Sequence, residues 1–586
     1  VRRLALALDE ARRSRSRTGK ETSIAAALAA VAEDGDEALA VATRLASGHV
    51  LPAGDGRSLG VGGSLLFEVI LAATGQDDVV AAACARKTGD MAEAFGLLLR
   101  RVEGAEGRAG LAVGEVARLG EALAGESSRA RKRALLDAAF ARTTPLEAKY
   151  LCKALGGGMR IGAQESVVVG AIARAFVATA EQARTAAALV TDVGELAVLA
   201  RHGRLAEARL EVGRPVAFML ATPLETVASP VDPAEYWVED KIDGIRAQAH
   251  RTATGDVVLF ARGLDRVTDA FPEVAAVLRA VGHPLVLDGE IVAVAPDGRP
   301  RPFQALQPRL KKTLPTAADL ATAQVALVAF DLLADASGPL TALPWTERRA
   351  RLAALADAIG PSHAFRVNPS APLPAGEPLT ASTESAFAEA RARGHEGLVL
   401  KRADAPYDAG RRGQAWIKVK RANATLDAVV VAVEEGHGKR AGVLSDYTFA
   451  VWRGDAGSPS EELVPIGKAY SGLTDEEIDA MTRRLGAMTL ERHGGLRVVR
   501  PEIVLEVAFD GLQRSTRHAS GFALRFPRIA RIRDDKRPED ADRIEAVEAL
   551  FAAQVATGHR EQAPRTPRKK SKVPANQLSL FGDPEE

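Results

Sequence analysis

The sequence predicts a multidomain chain: an all-α region, an α+β region, a small β-barrel and a disordered C-terminal tail. Three observations predict it. At 586 residues the chain exceeds what one hydrophobic core usually organises, and its length suits about three domains. Near residue 206 the texture changes from alanine and leucine at three- and four-residue spacing to short β-rich runs between turn signals. From residue 557 the chain turns polar, proline-containing and basic, a composition that buries too little apolar surface to order itself.

Residues 1–205 read as helices, in runs such as "TSIAAALAAVAEDGDEALAVATRLA" and "SVVVGAIARAFVATAEQARTAAALV". Residues 206–422 carry "PLVLDGEIVAV", "VALVAFDLL" and "EGLVLK" with a few helices between them, an α+β pattern. Residues 423–556 add the strands "LDAVVVAVEEG", "SDYTFAVWR" and "EIVLEVAFD", consistent with a small barrel. A closing helix is expected over "PEDADRIEAVEALFAAQVA", because proline and acids suit a first helical turn. Residues 557–586 form the tail.

The 77 Lys+Arg against 76 Asp+Glu leave a formal charge of +1, so any case for a nucleic-acid partner rests on local clusters. Cys84 and Cys152 are the only cysteines, which excludes a disulfide framework and a four-cysteine zinc module and fits a reducing compartment. The opening "VRRLALALDEARRSRSR" is interrupted by Asp9 and Glu10, and no stretch nears the roughly 20 apolar residues of a membrane span. A cytoplasmic protein without membrane contact is expected.

The chemistry centres on Glu239–Arg246, "EDKIDGIR". Alone, a K-x-D-G sequence is a solvated turn whose lysine is neutralised by its neighbours. Lys241 is not alone. Arg262 follows a strand in "LFARGLD", Glu290 sits in "LDGEIVA", and Phe330 precedes Asp331 in "AFDLL". "HEGLVLK" supplies Glu396 and Lys401, and "RRGQAWIKVK" supplies Arg412, Trp416, Lys418 and Lys420. Lys418 and Lys420 are two apart, so on a strand they share a face. Each cluster by itself is an acidic turn, a buried aromatic or a basic edge; their order and complementary charge argue for one site.

These motifs resemble those of ATP-dependent polynucleotide ligases, within the covalent nucleotidyltransferases. The resemblance rests on K-x-D-G-x-R at Lys241–Arg246, D-G-E at Asp288–Glu290, F-D at Phe330 and Asp331, E-G at Glu396 and Gly397, and W-I-K-V-K at Trp416–Lys420. "LRFPRIARIRDDK" at Leu524–Lys536 is similar to the family's last motif. The resemblance implies a nucleotidyltransferase (adenylation) domain over 206–422 and an OB-fold over 423–556, with ATP and Mg2+ as cofactors. It implies that Lys241 attacks the α-phosphorus of ATP to give lysyl-AMP, that AMP passes to the 5′-phosphate of a nick, and that the 3′-hydroxyl displaces it. A lysine amine attacks only when deprotonated. By the same pattern Glu239 contacts adenine and Phe330 stacks on it. Arg246, Arg262 and Arg412 hold ribose and phosphates, and Lys418 and Lys420 stabilise the transferring phosphoryl group. Glu290 and Glu396 offer the oxygen ligands magnesium prefers. Arg525, Arg528, Arg531 and Lys536 on the barrel are assigned to pyrophosphate, with a hinge near Lys420–Asp427.

The amino-terminal helices are similar to the DNA-binding domain of archaeal and eukaryotic replicative ligases, in "GRSLGVGGSLLFEVI" and "TTPLEAKYLCKALGGGMRIGAQESVVVGAIARAF". Arg160, before a helix start, is the candidate phosphate contact. In the tail, Gln577, Leu578, Leu580 and Phe581 of "QLSLF" resemble the short motif by which bacterial proteins bind the replicase sliding clamp. The expected protein is a monomeric, nucleoid-associated DNA ligase acting on nicked duplex DNA. The rival readings are an RNA ligase or capping guanylyltransferase, which the helical region argues against, and a catalytically silent clamp-bound scaffold, which the intact lysine argues against. An NAD-dependent ligase is disfavoured by the missing four-cysteine module.

Overall fold

A computed structural model describes residues 1–556 apart from 162–164, 228–230, 296–297, 302, 307–308, 310–313, 377, 421–423, 437–439, 441, 459 and 494. The described residues form two compact units, divided between Lys420 and residue 421.

In the first unit, α-helices run from Arg2–Arg13 to Val193–Arg201, with longer connections after Ser47 and Leu99. Their alanine-rich spacing does what it predicts: on the helix Arg17–Ala32, Ile24, Leu28 and Val31 fall on one buried stripe. Side chains cap the helix starts, as where Asp90 accepts from the backbone of Ala92 and Glu93. Within this apolar packing lies one ionic knot. Lys149 reaches Asp9 at 2.8 Å and Glu93 at 2.9 Å, Lys153 reaches Asp90 at 2.6 Å, and the Tyr150 hydroxyl donates to Asp9 at 3.1 Å. It ties the helices Arg2–Arg13, Met91–Leu99 and Pro145–Leu155 together.

The segment leaving the helices is stitched to the sheets that follow. Gln248 clamps Val216 from both sides, accepting from its N–H at 3.0 Å and donating to its carbonyl at 2.7 Å. The strands are β1 (Leu220–Pro223), β2 (Tyr236–Lys241), β3 (Ile245–Arg251), β4 (Val257–Ala261), β5 (Leu285–Ala293), β6 (Val325–Asp335), β7 (Gly338–Pro339), β8 (Phe365–Val367), β9 (Ser370–Pro372), β10 (Gly397–Arg402) and β11 (Arg412–Val419). One sheet has the order β1-β11-β10-β2-β9, and the other β4-β3-β5-β6-β7 with β8 beside β6.

Alternation along β3 and β5 sets two faces. Ala247, Ala249, Leu287 and Ile291 pack with Val274 and Leu278 of the helix Pro272–Arg279 and with Leu352 of the helix Trp345–Ile359. The opposite face carries Arg246, Gln248, Asp288 and Glu290, whose register pairs Arg246 with Glu290 and Gln248 with Asp288. This polar face looks toward the first sheet, across which the Phe330 and Trp416 rings meet at 5.9 Å.

The second unit is β-rich: β12 (Ala424–Glu435), β13 (Leu444–Arg453), β14 (Glu462–Ala469), β15 (Thr489–His493), β16 (Leu496–Val499), β17 (Val504–Phe509), β18 (Gly511–Arg514), β19 (Phe522–Arg525) and β20 (Arg528–Ile532). β12 pairs with β13, β16 and β17, and its register against β13 shifts twice. A long, bulged strand shared by three partners curls a sheet toward a barrel. Phe449, Val507, Phe509 and Phe522 fill it, closed by Met481 and Leu485 of the helix Asp475–Ala487.

The closing helix is shorter than the sequence predicts, running Ile544–Ala556 after a single 3-10 turn at Pro538–Asp540. The intervening residues are held instead by the barrel. Asp542 exchanges hydrogen bonds with Asp427, and Arg543 bridges Trp452. The tail from residue 557, with Gln577, Leu578, Leu580 and Phe581, lies outside the described residues.

Candidate active site

Strand register gathers the site on one face of the first sheet. In the antiparallel pairing of β2 with β10, Lys241 faces Gly397, Glu239 faces Val399 and Trp237 faces Lys401; in that of β10 with β11, Lys418 faces Val399 and Trp416 faces Lys401. Directly paired residues and residues two apart share a face. Trp237, Glu239, Lys241, Lys401, Trp416 and Lys418 therefore stand on one surface. Two glycines allow it: a Cβ on Gly397 would collide with the Val419 carbonyl, and one on Gly244 with the Ile291 carbonyl, where the turn after Lys241 crosses β5.

Lys241 is the last residue of β2, and its ammonium contacts Glu396 Oε2. Lys420 reaches the same oxygen at 3.3 Å. Burial favours a neutral Glu396, but Lys241 and Lys420 outweigh it and hold the carboxyl below its ordinary value. Lys418 is pushed below its ordinary value by burial and then by the charges of Arg412, Lys241 and Lys420, with Glu225 opposing. Lys241 and Lys420 thus share one oxygen of Glu396, and Lys418 feels the charge of both.

The second sheet supplies the other wall. Arg246 donates from Nε and Nη2 to the two oxygens of Asp288 at 3.1 and 2.7 Å and from Nη1 to the Met219 carbonyl at 2.6 Å, with Phe218, Phe330 and Trp416 rings around it. Three of its five N–H groups are so engaged. Glu290, opposite Arg246 in the register, is pushed up to about 8 by burial, helped by Glu396 and Asp243 and opposed by Lys241 and Arg246. Phe330 falls where the β5–β6 register slips between Asp288 and Gly289, a bulge that re-aims its ring.

Glu239 and Lys401 form a sealed pair, 2.9 Å apart with side chains 1% and 1% exposed. The Lys401 ammonium also donates to the Phe330 carbonyl at 2.7 Å and lies 4.6 Å from the Phe330 ring, 4.6 Å from Trp416 and 5.6 Å from Trp345. Glu239 Oε1 is buried with no hydrogen-bond partner among the described residues.

Glu239, Lys241, Arg246, Glu290, Phe330, Glu396, Lys418 and Lys420 come together between the sheets, while Arg412 is exposed at the start of β11, near enough to Lys418 for its charge to be felt there. Arg262 does not join the ion-paired set among the described residues; it is exposed on the turn after β4. Arg160 is exposed with a left-handed φ of 46°, and the next helix begins at Glu165. In the second unit, Arg528 pairs with Asp510 at 3.4 Å, Arg531 with Glu506 at 2.5 Å and Lys536 with Asp427 at 2.6 Å, while Arg525 lies 5.5 Å from the ring of Phe526.

Sequence reasoning named Asp288, Lys401 and Trp416 within motifs without giving them a part, and it passed over Phe218 and Trp345. Charged residues inside apolar strands, as in "LVLDGE" and "GLVLK", were the available signal: such a charge is buried only with a partner. Nothing local marked Phe218 or Trp345, whose place depends on long-range packing.

Among the described residues no group of three or more His, Cys, Asp or Glu side chains forms a ready-made metal cage. None of the described helices is long and apolar enough to cross a membrane.

Comparison with known proteins agrees with this geometry. The family model of the ATP dependent DNA ligase domain matches residues 218–420, that of the DNA ligase N terminus residues 1–173, and that of the ATP dependent DNA ligase C terminal region residues 440–536. A probable DNA ligase of Koribacter versatilis is 42% identical over 533 residues, covering 88% of this chain and 91% of that protein. A DNA ligase of Methanothrix thermoacetophila is 34% identical over 551 residues, covering 91% and 95%. The solved structure Pmar-Lig_PreS3 shares the fold at a TM-score of 0.55 and 17% identity, over 90% of this chain and 99% of that one. With three consecutive family models along its length and a relative this similar over nearly all of it, the chain belongs to the ATP-dependent DNA ligase family.

Proposed function

We propose that Lys241 is the nucleophile through which this ATP-dependent DNA ligase activates and seals a nick. The observation that carries the reading is the position of Lys241, ending β2 in contact with Glu396 among Lys418, Lys420 and Arg412. Its Nζ attacks the α-phosphorus of ATP, the bond to the β-phosphate oxygen breaks, and pyrophosphate leaves. Glu396 Oε2 is the acceptor within reach of the amine proton. The phosphoramidate then yields AMP to the 5′-phosphate of the nick, and the 3′-hydroxyl displaces AMP to close the strand. Lys418, Lys420 and Arg412 offer fixed positive charge where the phosphoryl group gains negative charge. Phe330 and Trp416 offer aromatic faces to the base, and Glu239 a hydrogen-bond acceptor.

The donor set fits magnesium. Glu396 is close enough to help push up the carboxyl of Glu290, a conflict that a divalent cation relieves, and two carboxylates completed by phosphate oxygens suit this ion. When bound, magnesium neutralises charge on the transferring phosphoryl group. Arg525, Arg528, Arg531 and Lys536 are assigned to the pyrophosphate-expelling step, Arg262 to the nucleotide phosphates and Arg160 to a DNA phosphate, on charge and motif alone. The tail motif Gln577–Phe581 supports the bacterial sliding clamp as a partner, and a monomer suffices for the chemistry. The relatives bear the name DNA ligase, which does not favour the RNA-ligase or capping readings.

The test is sealing of a labelled nicked DNA duplex with ATP and magnesium. A full-length strand and released AMP support the reading. Sealing restricted to RNA strands, or none on either substrate, contradicts it.

A further inference from the structure

Glu239 is held one-sidedly. Lys401 reaches its Oε2 at 2.9 Å and Asn368 donates to the same oxygen at 3.3 Å, while Oε1 is buried with no partner among the described residues. A bare carboxylate oxygen away from water is costly unless something donates to it. Glu239 sits two residues before Lys241 on the same strand face, so whatever Lys241 carries lies alongside that oxygen. Lys401, for its part, spends its charge in the interior, 1% exposed and ringed by Phe330, Trp345 and Trp416. A lysine needed only to fill space would be served by methionine at far lower desolvation cost.

We propose that Lys401 is a positioning residue that keeps Glu239 an acceptor-only carboxylate, so that Oε1 accepts from the exocyclic amine of a 6-aminopurine nucleotide and rejects a 6-oxopurine. The inference rests on the nucleotide reading above. An ionised carboxylate accepts but cannot donate. Adenine presents an N–H donor at position 6, and guanine presents a carbonyl oxygen that the anion repels. A protonated Glu239 would reverse the preference, because its O–H can donate to that carbonyl. The charge state of one buried acid therefore selects the base.

The groups facing Glu239 are Lys401 from β10, Arg349 from the helix Trp345–Ile359, and Asp331 from β6, with neutral Asn368 beyond β8. Burial raises the carboxyl, Asp331 adds to that, and Lys401 is the largest opposing influence, with Arg349 behind it. Asp331 is itself neutralised by Arg348 at 2.8 Å, both side chains fully buried. Removing Lys401 leaves burial less opposed, and Glu239 then loses its proton only at higher pH.

The experiment uses the full chain with magnesium and α-labelled ATP or GTP, followed on a denaturing gel between about pH 6 and about pH 9. Lys401→Met is expected to move the rising limb of ATP labelling up by about one pH unit or more. It should also narrow the ATP-over-GTP ratio about tenfold near neutral pH. Glu239→Gln, uncharged and able to donate, should lower the same ratio with no upward shift of the limb. A Lys401→Met chain that melts like wild type and keeps both limb and ratio overturns the inference. If that variant does not fold, a Glu239→Gln chain with an unchanged ratio overturns it. Wild-type chain that takes no label from either nucleotide instead overturns the nucleotide reading on which this one rests.

Discussion

Arg246 and Asp288 meet end-on, two parallel N–H···O bonds of 3.1 and 2.7 Å joining β3 to β5 with the carboxylate fully buried. The Tyr407 hydroxyl donates to the same carboxylate at 2.7 Å. Removing one member of such a pair strands the other charge in the interior. Asp288→Ala should therefore destabilise the chain by about 3–5 kcal/mol, read as a lowered urea midpoint. A loss below about 1 kcal/mol would show that the pair is not holding the wall of the site.

The ionic knot of the helical region gives a pH dependence. Burial raises the Asp9 carboxyl, but the hydrogen bond and charge of Lys149, with help from Tyr150 and Arg12, win and lower it from 3.8 to about 2. Because the folded value lies below the unfolded one, this stabilisation is present above pH 3.8 and is lost as pH falls toward about 2. It amounts to about 2 kcal/mol. Asp9→Asn should be less stable than wild type near neutral pH, and the gap should close in acid. A gap that stays constant across that range contradicts the assignment.

The barrel cations should separate the reaction steps. Replacing Arg528 or Lys536 with alanine should slow label transfer to the protein about tenfold or more, while sealing of a pre-adenylated nick is affected less. Lys536 is paired with Asp427, which keeps Arg533 as a partner at 2.9 Å, so the substitution leaves no unpaired buried acid. Equal losses in both assays reject the assignment.

The tail motif makes a prediction of its own. A peptide spanning Pro574–Glu586 should bind the bacterial sliding clamp, and Leu580→Ala with Phe581→Ala should abolish that binding. In the full chain, sealing of a short nicked duplex without clamp should be unchanged by the double substitution, while stimulation by clamp disappears. Unchanged clamp affinity would remove the motif from the account.

Much of this was legible because the site is built from strand ends and strand faces. Lys418 falls on the strand its spacing suggests, while Lys420 lies one residue past the end of β11, and the burial of "TSIAAALAAVA" followed from its period. The closing helix was overextended because Pro538 and the acids after it do mark a helical turn, yet Asp427 and Trp452 capture residues 542 and 543 before a helix can continue. Lys401 shows the other limit. The sequence names it within "HEGLVLK", but its sealed cage comes from Phe330 on another sheet and Trp345 on a helix, contacts that no local pattern encodes.

Whether Lys241 carries AMP is measured by transfer of label from α-labelled ATP to the chain with magnesium, resolved on a denaturing gel. Wild-type chain should retain the label through denaturation, in an acid-labile and alkali-resistant linkage mapping to the peptide that contains Lys241. Lys241→Ala should be folded and unlabelled, and Lys241→Arg equally silent, since a guanidinium is not deprotonated at working pH. Label retained by folded Lys241→Ala chain, or mapping to another residue in the wild type, would contradict the account.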